Sequence, residues 1–147
     1  MTIEFNKSLV TEFLTALLES RIKDAMELVH EDCYYWVIGD KALFPFAGEY
    51  NKEELENIMS GSLDVHDDEG GAPRPTMDII GMTAEGNRVA VETVVHVPLQ
   101  DGGVYNQTYH WLFEVTDQKL SVIKEYLDTI KAMNAFGTIA DNMVYRQ

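Results

Sequence analysis

Eight hydrogen-bonding or acid–base side chains fall inside β-rich runs in the last third of the chain: Glu92, His96, Asn106, Gln107, His110, Glu114, Glu125 and Asp128. A sheet that carries so many has either a solvated face or a polar pocket. Strand alternation tests the choice, because successive side chains point to opposite faces. In LSVIKEYLDT, Ile123, Glu125 and Leu127 share one face, and Lys124, Tyr126 and Asp128 share the other. Glu125 is therefore a carboxyl set between apolar neighbours. Such a wall raises a carboxyl pKa and makes a general acid or base. The plainer reading is an exposed strand glutamate or a structural ion pair.

In VYNQTYHWLFEV, Tyr105, Gln107, Tyr109, Trp111 and Phe113 share a face. Tyr109 and Trp111 could wall an apolar pocket, with the phenol donating to a carbonyl or oxyanion, or they could be core aromatics. The opposite face carries Asn106, Thr108, His110, Leu112 and Glu114. On the preceding run, Glu92 and His96 share a face with Ala90 and Val94. Glu92 and His110 could meet across the sheet as an acid–base pair, with the carboxylate holding the imidazole. The same pair would serve equally at an interface between copies of the chain. Asp128 ends its run ahead of a helix-compatible segment, so it is either a pocket group or that helix's N-cap.

The elements that must position these groups are legible from periodicity and punctuation. Leu9, Val10, Phe13, Leu14, Leu17 and Leu18 have helical spacing between Lys7 and Glu19, with Asn6 as the expected N-cap. Ser20 is expected to cap a second helix from Arg21 to Val29, ending at His30-Glu31-Asp32. Cys33 to Ile38 is aromatic and β-branched, hence a strand. Gly39-Asp40-Lys41 turns it into a loop that contains Phe44 and Phe46. Asn51 is expected to cap a third helix, with Leu55, Ile58 and Met59 as its apolar stripe. A strand from Thr76 to Met82 then precedes three more, with turns at Glu85-Gly86-Asn87, Asp101-Gly102-Gly103 and Thr116 to Lys119. Ile130 to Tyr145 closes the chain as a helix in which Gly137-Thr138 is expected to make a break. Helices first and an antiparallel meander after them make an α+β domain, residues 1–147, whose bent sheet can leave a cavity against the helices.

Composition sets outer bounds. The 147 residues are 46% hydrophobic, enough for one domain with a sizeable core. A net charge of −14 argues against nucleic acid and anionic membrane surfaces as partners. The single cysteine, Cys33, excludes an internal disulfide and reads as a buried apolar residue. The stretch Asp64 to Gly71 holds one histidine among acids, but its spacing does not match a Ca²⁺ loop. A mobile solvated loop without metal is the expectation. No apolar run reaches the roughly 18 residues of a membrane span, and no signal peptide is evident, so a cytoplasmic protein is expected.

Several local patterns resemble the SnoaL-like proteins of the nuclear transport factor 2 and ketosteroid isomerase superfamily. They are Val29-His30-Glu31-Asp32 after the tandem helices, Trp36 on the first strand, Gly48-Glu49-Tyr50-Asn51-Lys52-Glu53-Glu54 and Val91-Glu92. Tyr105-Asn106-Gln107-Thr108-Tyr109-His110 and Ile123-Lys124-Glu125-Tyr126-Leu127-Asp128-Thr129 complete the set. The resemblance implies a cone-like curved antiparallel sheet wrapped on N-terminal helices (a cystatin-like α+β barrel), a C-terminal helical tail and a homodimer formed through the sheet. It also implies a deep pocket used by isomerases, dehydratases, cyclases, epoxide hydrolases and pure binders.

Glu125 aligns approximately with a catalytic acid of the limonene epoxide hydrolase branch. That branch's Asp-Arg-Asp arrangement is not intact here, because the middle strand supplies Glu92-Thr93-Val94-Val95 without an arginine. Asp40 follows the first strand, where a ketosteroid-isomerase-like base would stand. The resulting candidates are Glu125, Tyr109 and Asp40 as catalytic groups, and Trp36, Phe46, Trp111, Glu92, His110 and Asp128 as ligand contacts. The expected function is acid–base chemistry without a cofactor or metal on a small hydrophobic molecule. The alternatives are a non-catalytic ligand-binding or accessory protein and a dimerisation module.

Overall fold

The computed structural model describes residues 2–63, 74–99 and 102–144. The Asp64–Gly71 stretch and its metal-free loop reading lie outside them. Helix α1 (Ile3–Leu18) and helix α2 (Ile22–Glu27) lead into strand β1 (Val29–Val37) and the short strand β2 (Gly48–Tyr50). Helix α3 (Lys52–Leu63) precedes the meander β3 (Thr76–Glu85), β4 (Arg88–Pro98), β5 (Val104–Thr116) and β6 (Lys119–Leu127), and helix α4 (Thr129–Val144) follows.

The strands form one six-stranded sheet in the order β2-β1-β6-β5-β4-β3. The meander is antiparallel as its turns require, but β1 pairs with β6 in parallel, so the sheet is mixed at that seam. Between Val29 and Tyr34 the β1–β6 ladder skips, which lets β1 begin at the end of α2 and still align Val37 with Glu125. His30, Glu31 and Asp32 are therefore strand residues and not a helix end.

Two cap assignments change. Thr2, not Asn6, caps α1, its hydroxyl accepting from the Phe5 amide at 3.1 Å. Asn6 is buried at 2% exposure and donates from Nδ2 to the Gly86 carbonyl at 3.2 Å, tying α1 to the β3–β4 turn. Ser20 sits in the left-handed region at φ 59° and terminates α1; its amide returns to the Leu17 carbonyl and the Arg21 amide to Ala16. Asn51 does cap α3. Its Oδ1 accepts from the Glu54 amide at 2.9 Å and Glu54 Oε1 accepts from the Asn51 amide at 3.1 Å, a reciprocal capping box. Helix α4 runs on through Gly137 and Thr138 without a break.

The core lies between α1 and the concave face of the sheet. Val10, Phe13 and Leu14 of α1 are at most 2% exposed, as are Val89, Val91, Phe113 and Ile123 opposite. Phe13 meets Phe113 edge-on at 5.9 Å, and Trp111 stacks on Phe113 at 5.9 Å. The helical and strand periodicities thus bury the side chains that the sequence assigns to the interior.

Candidate functional site

Near the helical end of the sheet the concave face is not filled. Two adjoining lobes open there, with cavity volumes of about 100 Å³ and about 170 Å³. Each is small against the roughly 300–1,000 Å³ of pockets that hold drug-sized molecules and is on the order of a cavity that takes a single ring. The first lobe lies under Phe44, Phe46, Ile58 and Leu127, and the second under Leu14, Met77, Val95 and Trp111. Met59, Tyr105, Tyr109, Glu125 and Phe136 line both.

Glu125 is held at this junction by β6, flanked in register by Val37 on β1 and Trp111 on β5. It is 9% exposed. Burial pushes its pKa up from 4.5 to about 7, against a smaller lowering by a hydrogen bond from Tyr35. Tyr35 donates to Glu125 Oε2 in a very short contact. No bond to Oε1 is found among the described residues. Burial, with the carboxylate beside it, also holds the Tyr35 phenol well above its usual range, so Tyr35 stays a proton donor at neutral pH. Replacing Tyr35 with Phe removes the bond that favours the carboxylate. The Glu125 midpoint should then move above about 7 in a ¹³C-detected titration, by one unit or less if only a hydrogen bond is lost.

A second set of phenols stands on β5. The Tyr105 and Tyr109 hydroxyls are 3.0 Å apart. Gln107, buried at 2%, donates from Nε2 to the Tyr105 hydroxyl at 3.1 Å and to the Asp128 carbonyl at 2.8 Å. Gln107 Oε1 in turn accepts from the Asp128 amide at 3.2 Å, which fixes the start of α4 against β5. Burial raises the Tyr109 phenol well above its ordinary range, with Tyr105 and Glu125 as further causes. The pair holds two hydroxyl protons and its mutual bond uses one. The other finds no acceptor among the described residues and is available to a ligand oxygen.

The sequence candidates divide by strand parity. Glu125, Tyr109, Trp111 and Phe46 line the cavity. Trp36 does not, because it alternates with Tyr35 and Val37 and faces the other side of the sheet. There it meets Tyr126 edge-on at 5.2 Å, with the Lys124 ammonium 5.8 Å from its ring centre. Glu92 and His110 are direct cross-strand partners, but both are exposed on that same outer face. Asp40 is exposed in the loop after β1, where Oδ1 accepts from the Ala42 amide at 2.9 Å; it lines neither lobe. The Asp128 carboxylate accepts from the Ile130 and Lys131 amides at 3.0 and 3.1 Å and is the N-cap of α4. Removing it in Asp128→Ala should destabilise the fold by about 1 kcal/mol. A thermal scan should record about 2–4 °C for that loss.

One positioning residue was not singled out from sequence, and a second was given no role. Tyr35 is hidden because β1 is aromatic on both faces, so alternation gives no contrast between Tyr34, Tyr35 and Trp36. Gln107 was noted among the polar strand residues, on a face with aromatics, but its bonds to Tyr105 and Asp128 depend on the fold. Cys33 is buried and its thiol is pushed up to about 12, which leaves it an inert core group. No cluster of metal-ligating side chains occurs among the described residues, and none of their helices is long and apolar enough to cross a membrane.

No curated protein sequence matches the chain. Among solved structures, an NTF2-like protein from Burkholderia xenovorans LB400 superposes with a TM-score of 0.69 at 18% identity, covering 92% of this chain and 98% of that one. AclR, a putative hydroxylase from Streptomyces galilaeus, gives 0.73 at 14% identity over 92% and 87%. An LEH-like epoxide hydrolase from M. tuberculosis gives 0.68 at 14% identity over 98% of both chains. At these identities the likeness is one of fold, and that fold is the NTF2-like α+β cone. The family described as the SnoaL-like domain matches residues 10–123, most of the chain, and the protein belongs to that family.

Proposed function

We propose that this protein is a cofactor-independent acid–base enzyme that moves a proton on a hydrophobic small molecule, by an isomerase- or cyclase-type reaction. The observation that supports this most strongly is Glu125, a carboxyl with a pKa of about 7 at the junction of two apolar lobes. A base poised near the working pH combines the right protonation state with a useful driving force. In this reading Glu125 Oε1 takes a proton from a carbon next to a carbonyl. The carbonyl oxygen accepts the spare phenol proton of the Tyr105–Tyr109 pair and gathers enolate charge there. Returning the proton at another carbon isomerises the substrate; attack of the enolate carbon on an internal electrophile cyclises it.

Hydrolysis is less well supported. It needs a second group to hold and activate water, and Glu125 is the only carboxyl that lines either lobe among the described residues. The solved relatives described as a putative hydroxylase and an epoxide hydrolase favour an enzyme in this pocket over a filled core. The outer face, with Trp36, Glu92 and His110, remains available to a second copy of the chain.

The test is proton exchange. Neutral hydrophobic ketones incubated with the protein in D₂O should gain deuterium beside the carbonyl. The catalysed rate should rise with pH through about 7 and level off above it, as the base form fills. Ketones that bind without any catalysed exchange would mark the protein as a ligand binder.

A further inference from the structure

The cavity's division into two lobes bears on what the substrate looks like. Resting on the acid–base reading of Glu125, we infer that the substrate is an uncharged, two-armed molecule with apolar groups on both sides of a single central carbonyl-type oxygen. Beyond the residues that line both, the lobes have different walls. Phe44, Phe46 and Ile58 belong to one alone, and Leu14, Met77 and Val97 to the other. They adjoin at Glu125 and Tyr109, which with Tyr105 supply the polar groups common to both. A ligand that fills only one lobe leaves the other as apolar surface in contact with water. A ligand with an apolar group in each buries both, at about 25 cal/mol per Å².

Charge narrows the class. Neither lobe is lined by a lysine, arginine or histidine among the described residues, so a carboxylate or phosphate would enter without a counter-ion. The net charge of −14 disfavours its approach as well. A cationic ligand would pair with ionised Glu125 and block the base. The polar complement of the junction is one free carboxyl oxygen and one spare phenol proton, which suits one acceptor oxygen beside an acidic carbon. The polar group therefore sits in the middle of the substrate and its apolar bulk at both ends.

The probes are 1,3-diphenylacetone, which has a ring on each side of its carbonyl, phenylacetone with one ring, and phenylpyruvate as the one-ring anion. Affinities are measured by calorimetry on the wild type and on two variants that narrow one lobe each, Ile58→Trp and Val97→Trp. Phe46→Trp and Val95→Trp stand in if either fails to fold by circular dichroism. The two-ring ketone should bind at least tenfold tighter than phenylacetone, lose at least tenfold in each narrowed variant, and outbind phenylpyruvate. Equal binding of one- and two-ring ketones, a loss in only one variant, or preference for the anion would overturn the two-armed assignment. Deuterium exchange into the same ketones by wild type and Glu125→Gln reads the acid–base assignment separately. Two-lobed binding with exchange indifferent to Glu125 leaves the shape standing and removes the base; Glu125-dependent exchange from a single lobe does the reverse.

Discussion

At about pH 8.5 the Glu125→Gln variant is expected to unfold roughly 5–10 °C above the wild type, and near pH 4 the two should melt together. Burial raises the Glu125 pKa from 4.5 in the unfolded chain to about 7 in the folded one. Between those values the native state holds a proton that the unfolded state has released, so stability falls as pH rises. The proton-linked stabilisation is fully present below about 4.5 and is lost as pH climbs through about 7. At 1.36 kcal/mol per pKa unit, the wild type gives up roughly 3 kcal/mol across that window. Glutamine keeps the shape and can accept the Tyr35 hydrogen bond, but it never ionises, so it escapes the loss. The other acids titrate in both proteins and cancel when the melting temperatures are subtracted. A difference that stays flat from pH 4 to 9 would show a carboxyl that ionises as easily in the fold as outside it.

The same substitution should cut catalysed proton exchange by about 10²–10⁴-fold, the usual contribution of one general base. Ketone affinity should change little, because apolar lobe walls supply most of the contact and they are untouched. A change in affinity that parallels the loss in rate would instead assign Glu125 to binding. Losing the base while the fold becomes more stable at alkaline pH is a pairing that a structural glutamate would not produce. A glutamate in a stabilising ion pair would lose stability on substitution, and one in bulk water would change neither quantity.

Strand parity was the part of the site most legible in the sequence. It put Glu125 with Ile123 and Leu127, and Tyr109 with Trp111 and Phe113. Both sets lie on the concave side, where Glu125, Tyr109, Trp111 and Leu127 line the cavity and Ile123 and Phe113 are core. It left a Glu92–His110 meeting open, which the β4–β5 register supplies, and it could not say which face was concave, because that depends on where α1 packs. Trp36 was misread for a related reason. Its aromatic bulk suggests a pocket, but its parity with Tyr34 places it outside, against Tyr126 and Lys124. Asp128 was open between a pocket group and the N-cap of the last helix, and its position one residue before α4 makes it the cap.

The Tyr35–Glu125 bond joins residues 90 apart in sequence, and the parallel β1–β6 seam makes it. No local pattern announces a parallel pair, because its two strands are separated by most of the chain. The same seam brings Val37 beside Glu125 and completes the apolar wall that raises the carboxyl pKa. Asn6 shows the limit in the other direction. It had the type and place of an N-cap, but it is used across the core against Gly86, a contact of sequence separation 80.

The direct test of this account is a ¹³C NMR titration of the Glu125 side-chain carboxyl, assigned by comparison with Glu125→Gln. A single midpoint at about 7 is expected. A midpoint near the ordinary carboxylate value of about 4.5 would contradict it, because the carboxyl would then be solvated and the pocket would have no base poised for neutral pH.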